Sequence, residues 1–261
     1  MLAHVHIMKT AGQTVRGILR QSYRGRHCDL LARRLATVSD LHWAQRFYRE
    51  LQSIAGHGVL PHANLEASGL ALRYFTFMRD PLQRCVSHYQ FSSPKRPDYP
   101  PFEEWIRSFS NFQTKILCGS EEAQRAIEIL EEKIEFVGLV ERFNESLVLL
   151  KHWSGDSCLD LHYRSVNVAA DNTIKQRLLA DAKIVALIHE CHEQDNIVFR
   201  YARDVIYPRQ VKKFGPGLQQ AVADLEHELP GNAILSFEQF VASAKRNVIY
   251  KPLTRILRRA A

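Results

Sequence analysis

The 261-residue chain has no apolar run long enough to cross a bilayer, no C-x-x-C pair, no Walker A loop, no internal repeat and no low-complexity stretch. Each absence closes off a class of function. Apolar stretches such as KIVALI (183–188) fall far short of the roughly 20 residues a spanning helix needs. A first strand is expected almost at Met1, which leaves no room for a signal peptide. The five cysteines, Cys28, Cys85, Cys118, Cys158 and Cys191, are odd in number and scattered. That argues against a disulfide framework or zinc knuckle and for a reducing, cytoplasmic setting. Acidic side chains are in deficit, 28 against 35 basic ones, and the resulting charge of +7 points to anionic partners. No zinc finger, RNP motif or basic helix with interleaved aromatics stands out, so nucleic acid is set aside. A small polyanionic ligand or an anionic surface remains.

What is present is 46% hydrophobic, enough to bury a large core, most simply as one domain with additions. Periodicity predicts strands at Ala3–Ile7, Gln52–Gly56, Arg73–Met78 and Glu135–Val140, with helices from Thr14, at Asp40–Leu51 and at Pro81–Phe91 between them. Alternating strands and helices indicate an α/β fold around a mainly parallel sheet. The C-terminal half reads as helix-rich: Phe102–Phe109, Glu121–Lys133, Asn144–His152, Ile174–Tyr201 and Gly217–Leu229. Ser92–Pro101 is too rich in proline for anything but a loop.

Two stretches carry chemistry. In HVHIMKTAGQTVRGIL, from His4, an apolar strand ends in a turn with Lys9, Thr10, Ala11, Gly12, Gln13 and Thr14 and reads straight into a helix. Such a corner aims backbone N–H groups at one point, where the helix dipole and Lys9 add positive potential suited to phosphate or sulfate. An ordinary βα corner with a solvated lysine has the same pattern, and the lysine precedes the glycine, unlike a Walker A loop. YFTFMRDPLQRCVSHYQF, from Tyr74, repeats the layout, with Arg79 at the strand end, Asp80 and Pro81 opening a helix, and Ser87 two turns along. Arg79 and Ser87 can face one anion, although an isolated R-D-P suits a structural ion pair equally well.

Taken together, HIMKTAGQT resembles the 5′-phosphosulfate-binding loop of sulfotransferases that use 3′-phosphoadenosine 5′-phosphosulfate (PAPS), and FTFMRDPLQRCVSHY resembles their 3′-phosphate-binding segment. Within that superfamily the likeness is to carbohydrate sulfotransferases of the heparan 2-O- and 6-O-type and their small bacterial relatives. It continues through NFQTKILCG, FVGLVERFNESLVLL and HEQDNIVFRYA, over roughly the first four fifths of the chain. Met8 stands where the family loop commonly has proline, and Ala11 where it has its first glycine.

The resemblance implies a P-loop-like fold, with a sulfotransferase domain over 1–207 and a helical C-terminal extension over 208–261 packed on it. It implies PAPS as donor, no metal, and a sugar, glycan or glycolipid hydroxyl as acceptor. Lys9 would neutralise the leaving phosphate. Thr10, Ala11, Gly12, Gln13 and Thr14 would form the loop that cradles the 5′-phosphate, and Arg79 and Ser87 would clamp the 3′-phosphate. His57, between two glycines after a strand, matches the family's catalytic histidine and suits a general base, with His62 as the alternative and a plain loop hydrogen bond as the uncatalytic reading. A nucleotide-dependent phosphotransferase is the rival activity; it lacks an evident Walker B carboxylate. A non-catalytic nucleotide-binding protein is another.

Three further stretches are read as structural or peripheral. HECHEQD (189–195) falls one residue short of the zincin spacing and reads as a solvated helix face, and His88 reads as structural. In the tail, Ile249, Leu253, Ile256 and Leu257 share a helical face, with Arg255, Arg258 and Arg259 towards the other and Pro252 in the first turn. That face either packs on the parent domain or lies on an anionic membrane.

Overall fold

The computed structural model describes residues 1–31, 35–48, 50–95, 98–163, 172–229 and 244–260. Five strands form one sheet: β1 (Leu2–Val5), β2 (His27–Asp29), β3 (Ser53–Gly56), β4 (Arg73–Met78) and β5 (Ile134–Leu139). Their order is β2-β3-β1-β4-β5 and every neighbouring pair is parallel. This is the expected P-loop-like α/β fold with a helix-rich C-terminal half. With both faces covered, the strands run almost continuously buried, as in LAHV of β1 and YFTFM of β4.

The helices start where local chemistry directs. α1 (Gly12–Tyr23) begins one turn of chain after β1 and packs Val15, Ile18 and Leu19 against the sheet. α2 (Val38–Phe47) opens on a capping box: Thr37 Oγ1 accepts from Asp40 N–H at 3.2 Å, and Asp40 accepts from Thr37 N–H at 3.0 Å. α3 (Pro81–Ser92) has proline in its first turn, and Asp80 accepts from Gln83 N–H at 2.9 Å. α4 (Phe102–Ser108), α5 (Phe112–Cys118), α6 (Ala123–Glu132) and α7 (Phe143–Ser154) follow.

The expected helix at Ile174–Tyr201 is three: α8 (Thr173–Ala180), α9 (Ala182–Cys191) and α10 (Glu193–Tyr201). Asp181 makes the first break by accepting from the N–H groups of Lys183 and Ile184 as the cap of α9. The chain then continues through a π-helical turn (Ala202–Ile206) into α11 (Tyr207–Phe214) and α12 (Leu218–Glu228). A last π-helical turn (Lys245–Tyr250) leads into α13 (Lys251–Ala260).

Two apolar cores form among the described residues. One lies on both sides of the sheet; the other joins α3 to α4, α8 and α9 through Cys85, Val86, Tyr89, Trp105, Ile106 and Ile188. The second core fixes the helix that carries Ser87. Residues 96 and 97 of the Ser92–Pro101 loop and residue 49 of the expected Asp40–Leu51 helix lie outside the described residues; the rest of that loop includes a short 3-10 turn at Ser93–Lys95. All five cysteines are free thiols, and no described helix is long and apolar enough to cross a membrane.

Candidate active site

β1 lies at the centre of the sheet, between β3 and β4, so the carboxyl ends of these three strands open onto one edge where the chain direction diverges. In parallel α/β sheets that edge is where ligands bind. The Lys9 loop leaves β1 there, His57 follows β3, and Arg79 follows β4.

The Lys9 loop is tightly built. Lys9 and Ala11 both take left-handed backbone angles, φ 69° and 58°, which cost a non-glycine residue about 1–2 kcal/mol each. Such alternation turns successive N–H groups inward into an anion-binding concavity. The buried Thr10 hydroxyl donates to Ile7 O at 2.9 Å, so this side chain braces the loop. Ala11 stands at the cap of α1 and has no side-chain oxygen to offer the first-turn N–H groups, and that turn carries no acidic residue. Thr14 N–H turns back to Ala11 O at 2.9 Å, while Gln13 is exposed at the helix start.

Arg79 ties the second corner to the first. Its Nη1 donates to Lys9 O at 3.3 Å, which holds the strained Lys9 peptide in place. The Arg79 peptide is itself clamped by the buried Gln113 side chain, whose Oε1 accepts from Arg79 N–H at 3.1 Å and whose Nε2 donates to Arg79 O at 2.8 Å. Burial pulls the Arg79 pKa down and the carboxylates of Glu141 and Asp80 pull it up; the guanidinium remains a cation. On α3, Ser87 and Phe91 are four residues apart and share a face. The Lys9 ammonium lies 4.2 Å above the Phe91 ring, so that face is the one turned towards the loop.

HECHEQD is only in part the solvated face expected from its polarity, with His189, Glu190 and Glu193 exposed. His192 and Asp195 are fully buried: His192 Nδ1 accepts from Asn111 N–H at 3.1 Å, and Asp195 accepts from Gln113 N–H, Thr114 N–H and Thr114 Oγ1. They hold the start of α5, and so place the Gln113 clamp on Arg79. Arg84, fully buried against the Phe112 ring, supplies the charge opposite Asp195. His88 is buried edge-on to Trp105 and Phe109. No metal-holding group occurs among the described residues.

His57 is open to solvent on one side and stacks on His6 on the other, ring centroids 4.3 Å apart. Partial burial and then the positive charge of Arg16 pull its pKa below the ordinary 6.5, against a smaller upward pull from the His6 backbone. The ring is therefore neutral, with a lone pair to accept a proton, at physiological pH. Gly56 lets the chain turn here at φ 156°; a Cβ would stand 2.7 Å from Leu30 O. His6 continues the contact to the Lys9 loop, its ring filling the space beside Gly12. His62 lies on a 3-10 turn at Pro61–Ala63, with its Nδ1 3.3 Å from Leu117 O and its ring against Gly119 at the end of α5.

Two features escape sequence reasoning. Asp29, at the end of β2, is fully buried and meets Arg16 at 2.6 Å, Arg20 at 2.7 Å and Arg246 at 2.9 Å, with His27 at 3.4 Å. Lys175 on α8 lies near enough to Arg79 for the like charge to depress its pKa, after the larger effect of burial. Gln90 Oε1 accepts from Lys175 N–H at 2.9 Å and sets α8 on α3. Neither Asp29 nor Lys175 falls in a motif; a polar strand end and a lone lysine after a loop give no pattern to read.

No family model matches the chain, and no curated protein does. Among solved structures, the crystal structure of a sulfotransferase from Alicyclobacillus acidocaldarius is similar at 12% sequence identity, over 72% of this chain and 94% of that one, with a TM-score of 0.38.

Proposed function

We propose that the protein is a PAPS-dependent sulfotransferase that transfers the sulfuryl group to a hydroxyl of a carbohydrate or glycolipid acceptor. The observation that carries this reading is the bond from Arg79 Nη1 to Lys9 O, which sets two cationic corners side by side at the carboxyl edge of adjacent strands. A donor with phosphate groups at both ends of its ribose needs two such corners. An ordinary nucleoside triphosphate needs one, with a Mg²⁺-binding carboxylate beside it.

In this reading Thr10, Ala11, Gly12, Gln13 and Thr14 hold the 5′-phosphate, and Arg79 and Ser87 hold the 3′-phosphate. His57 takes the acceptor's proton as the new O–S bond forms and the S–O bond to the phosphate breaks. Lys9 stabilises the negative charge that the departing nucleotide gains. Supporting the base assignment, His57 stacks on the His6 ring that abuts Gly12, whereas His62 is turned to α5. The reading extends to a reducing, cytoplasmic setting, supported by the free thiols, and to one domain over 1–207. The extension over 208–261 is read as packed on that domain, which is supported by Gln210, bonded to both Val137 N–H and Val137 O in β5.

The test is incubation with PAPS labelled in its sulfur and extracts of host lipids and glycans. Label transferred to an extract component by the wild type and not by His57→Ala supports the reading. Retention of transfer by His57→Ala removes His57 as base.

A further inference from the structure

Of the seven large apolar side chains that stand exposed among the described residues, four lie in one short stretch near the C-terminus: Val248 (72% exposed), Ile249 (45%), Leu253 (40%) and Ile256 (62%). The helix that carries them is firmly docked. Arg246 reaches Asp29 at 2.9 Å; Tyr250 is buried against Phe47 and Tyr48; Thr254 accepts from Trp43 Nε1 at 3.0 Å. These three recur every four residues and make one stripe. Ile249, Leu253 and Ile256 recur at helical spacing beside it, so docking holds the apolar stripe outward instead of covering it.

The charge is as unevenly placed as the apolar surface. Residues 244–261 contain six of the 35 basic residues and none of the 28 acidic ones, which leaves 29 against 28 in the rest of the chain. Nearly the whole net charge of +7 therefore sits on the segment with the exposed apolar stripe. A second copy is a poor occupant for this face, because it would bring the two basic segments together. A surface that is apolar beneath and anionic above matches both properties.

We propose that the C-terminal helix is a docking surface for an anionic lipid bilayer: Ile249, Leu253 and Ile256 enter the headgroup boundary, and the basic residues draw the segment to lipid phosphates. The helix is anchored through Arg246 to Asp29, paired in register with Ala55 on the strand that leads to His57. Docking thus holds the His57 edge of the sheet to the same surface, which suits a lipid-linked acceptor. The proposal is tested with neither donor nor acceptor, so its failure leaves the sulfuryl-transfer reading standing.

The experiment is co-sedimentation of the full chain with vesicles of phosphatidylcholine alone or mixed with phosphatidylglycerol, at low and high salt. The wild type is expected to sediment with the mixed vesicles, weakly with the neutral ones, and less at high salt. The exposed-residue variant Ile249→Ser/Leu253→Ser/Ile256→Ser and the charge variant Arg258→Gln/Arg259→Gln, each with a wild-type circular dichroism spectrum, are expected to lose about tenfold or more in bound fraction. Absence of wild-type binding, equal binding to both vesicles, or unchanged binding by the apolar variant would overturn the proposal. So would light scattering that shows a dimer which the apolar variant abolishes, since the face would then be an interface between copies.

Discussion

The ring of His6 stacks on that of His57 with centroids 4.3 Å apart, and its edge occupies the space that a side chain at Gly12 would need. One buried ring thus couples the start of α1, where the Lys9 loop ends, to the candidate base. Burial pushes His6 itself down to about 3, so it acts as a neutral spacer at working pH.

Gly12→Ala tests that coupling. A Cβ at this position would lie 2.0 Å from His6 Cδ2 and Nε2, and the ring is held between His57 and His4, so it has little room to move. Alanine gains about 1 kcal/mol in helix propensity. Overpacking costs about 1–3 kcal/mol, and at so short a contact it wins. Denaturant unfolding should show a net loss, most of which disappears in the double variant with His6→Ala. Additive single and double effects would mean the two residues do not meet.

Lys9→Ala should leave the fold intact and lower turnover by about a hundredfold or more, with a much smaller change in donor affinity. In the proposed mechanism the ammonium meets charge that develops during transfer, whereas the backbone of the loop would hold the ground state. Single-turnover kinetics with labelled PAPS separates the two. Equal losses in affinity and rate would make Lys9 an ordinary binding residue.

The pH profile follows from the environment of His57. Burial and Arg16 lower its pKa, so the rate should rise with pH through a group below the ordinary histidine value and be level at neutrality. His57→Ala should abolish the limb with the activity, while donor binding persists. A limb centred above pH 7 would point to another base.

Asp29 should matter for stability. Burial alone would raise its pKa, but His27, Arg20 and Arg16 outweigh burial and hold it well below the usual carboxylate range. A depressed native pKa contributes stability that is present above the unfolded value of about 3.9 and is lost as pH falls through the native one. Asp29→Asn leaves Arg16, Arg20 and Arg246 without their shared anion and should cost about 3–5 kcal/mol at neutral pH, measured by denaturant unfolding. Because Arg246 anchors the last helix, loss of Asp29 should also raise hydrogen exchange there.

Four strands and most helices are legible in the sequence because their buried residues are apolar and periodic. β4 falls at Arg73–Met78 as read, β3 starts one residue later than read, β5 lies one residue earlier at both ends, and β1 starts one residue and ends two residues earlier. β2 escapes because HCD buries a carboxylate and an imidazole, offset by Arg16 and Arg20 of α1 and by the distant Arg246, and shows no apolar alternation. The break after α9 escapes for a related reason: His192 ends the helix by accepting a bond from Asn111, a contact with no local signal. At the site, Lys9, Arg79 and His57 are legible from their position after strands. What sequence could not show is what joins them: the Gln113 clamp, the His6 spacer and Lys175, each set by packing between distant segments.

The central claim, that paired corners read a donor with a 3′-phosphate, is tested most directly by calorimetry of 3′-phosphoadenosine 5′-phosphate against AMP. The account predicts that the 3′-phosphate improves affinity by about a hundredfold, the worth of charge-assisted contacts from Arg79 and Ser87, and that in Arg79→Ala the ratio of the two affinities falls most of the way to one. Equal affinity of the wild type for the two nucleotides would contradict it.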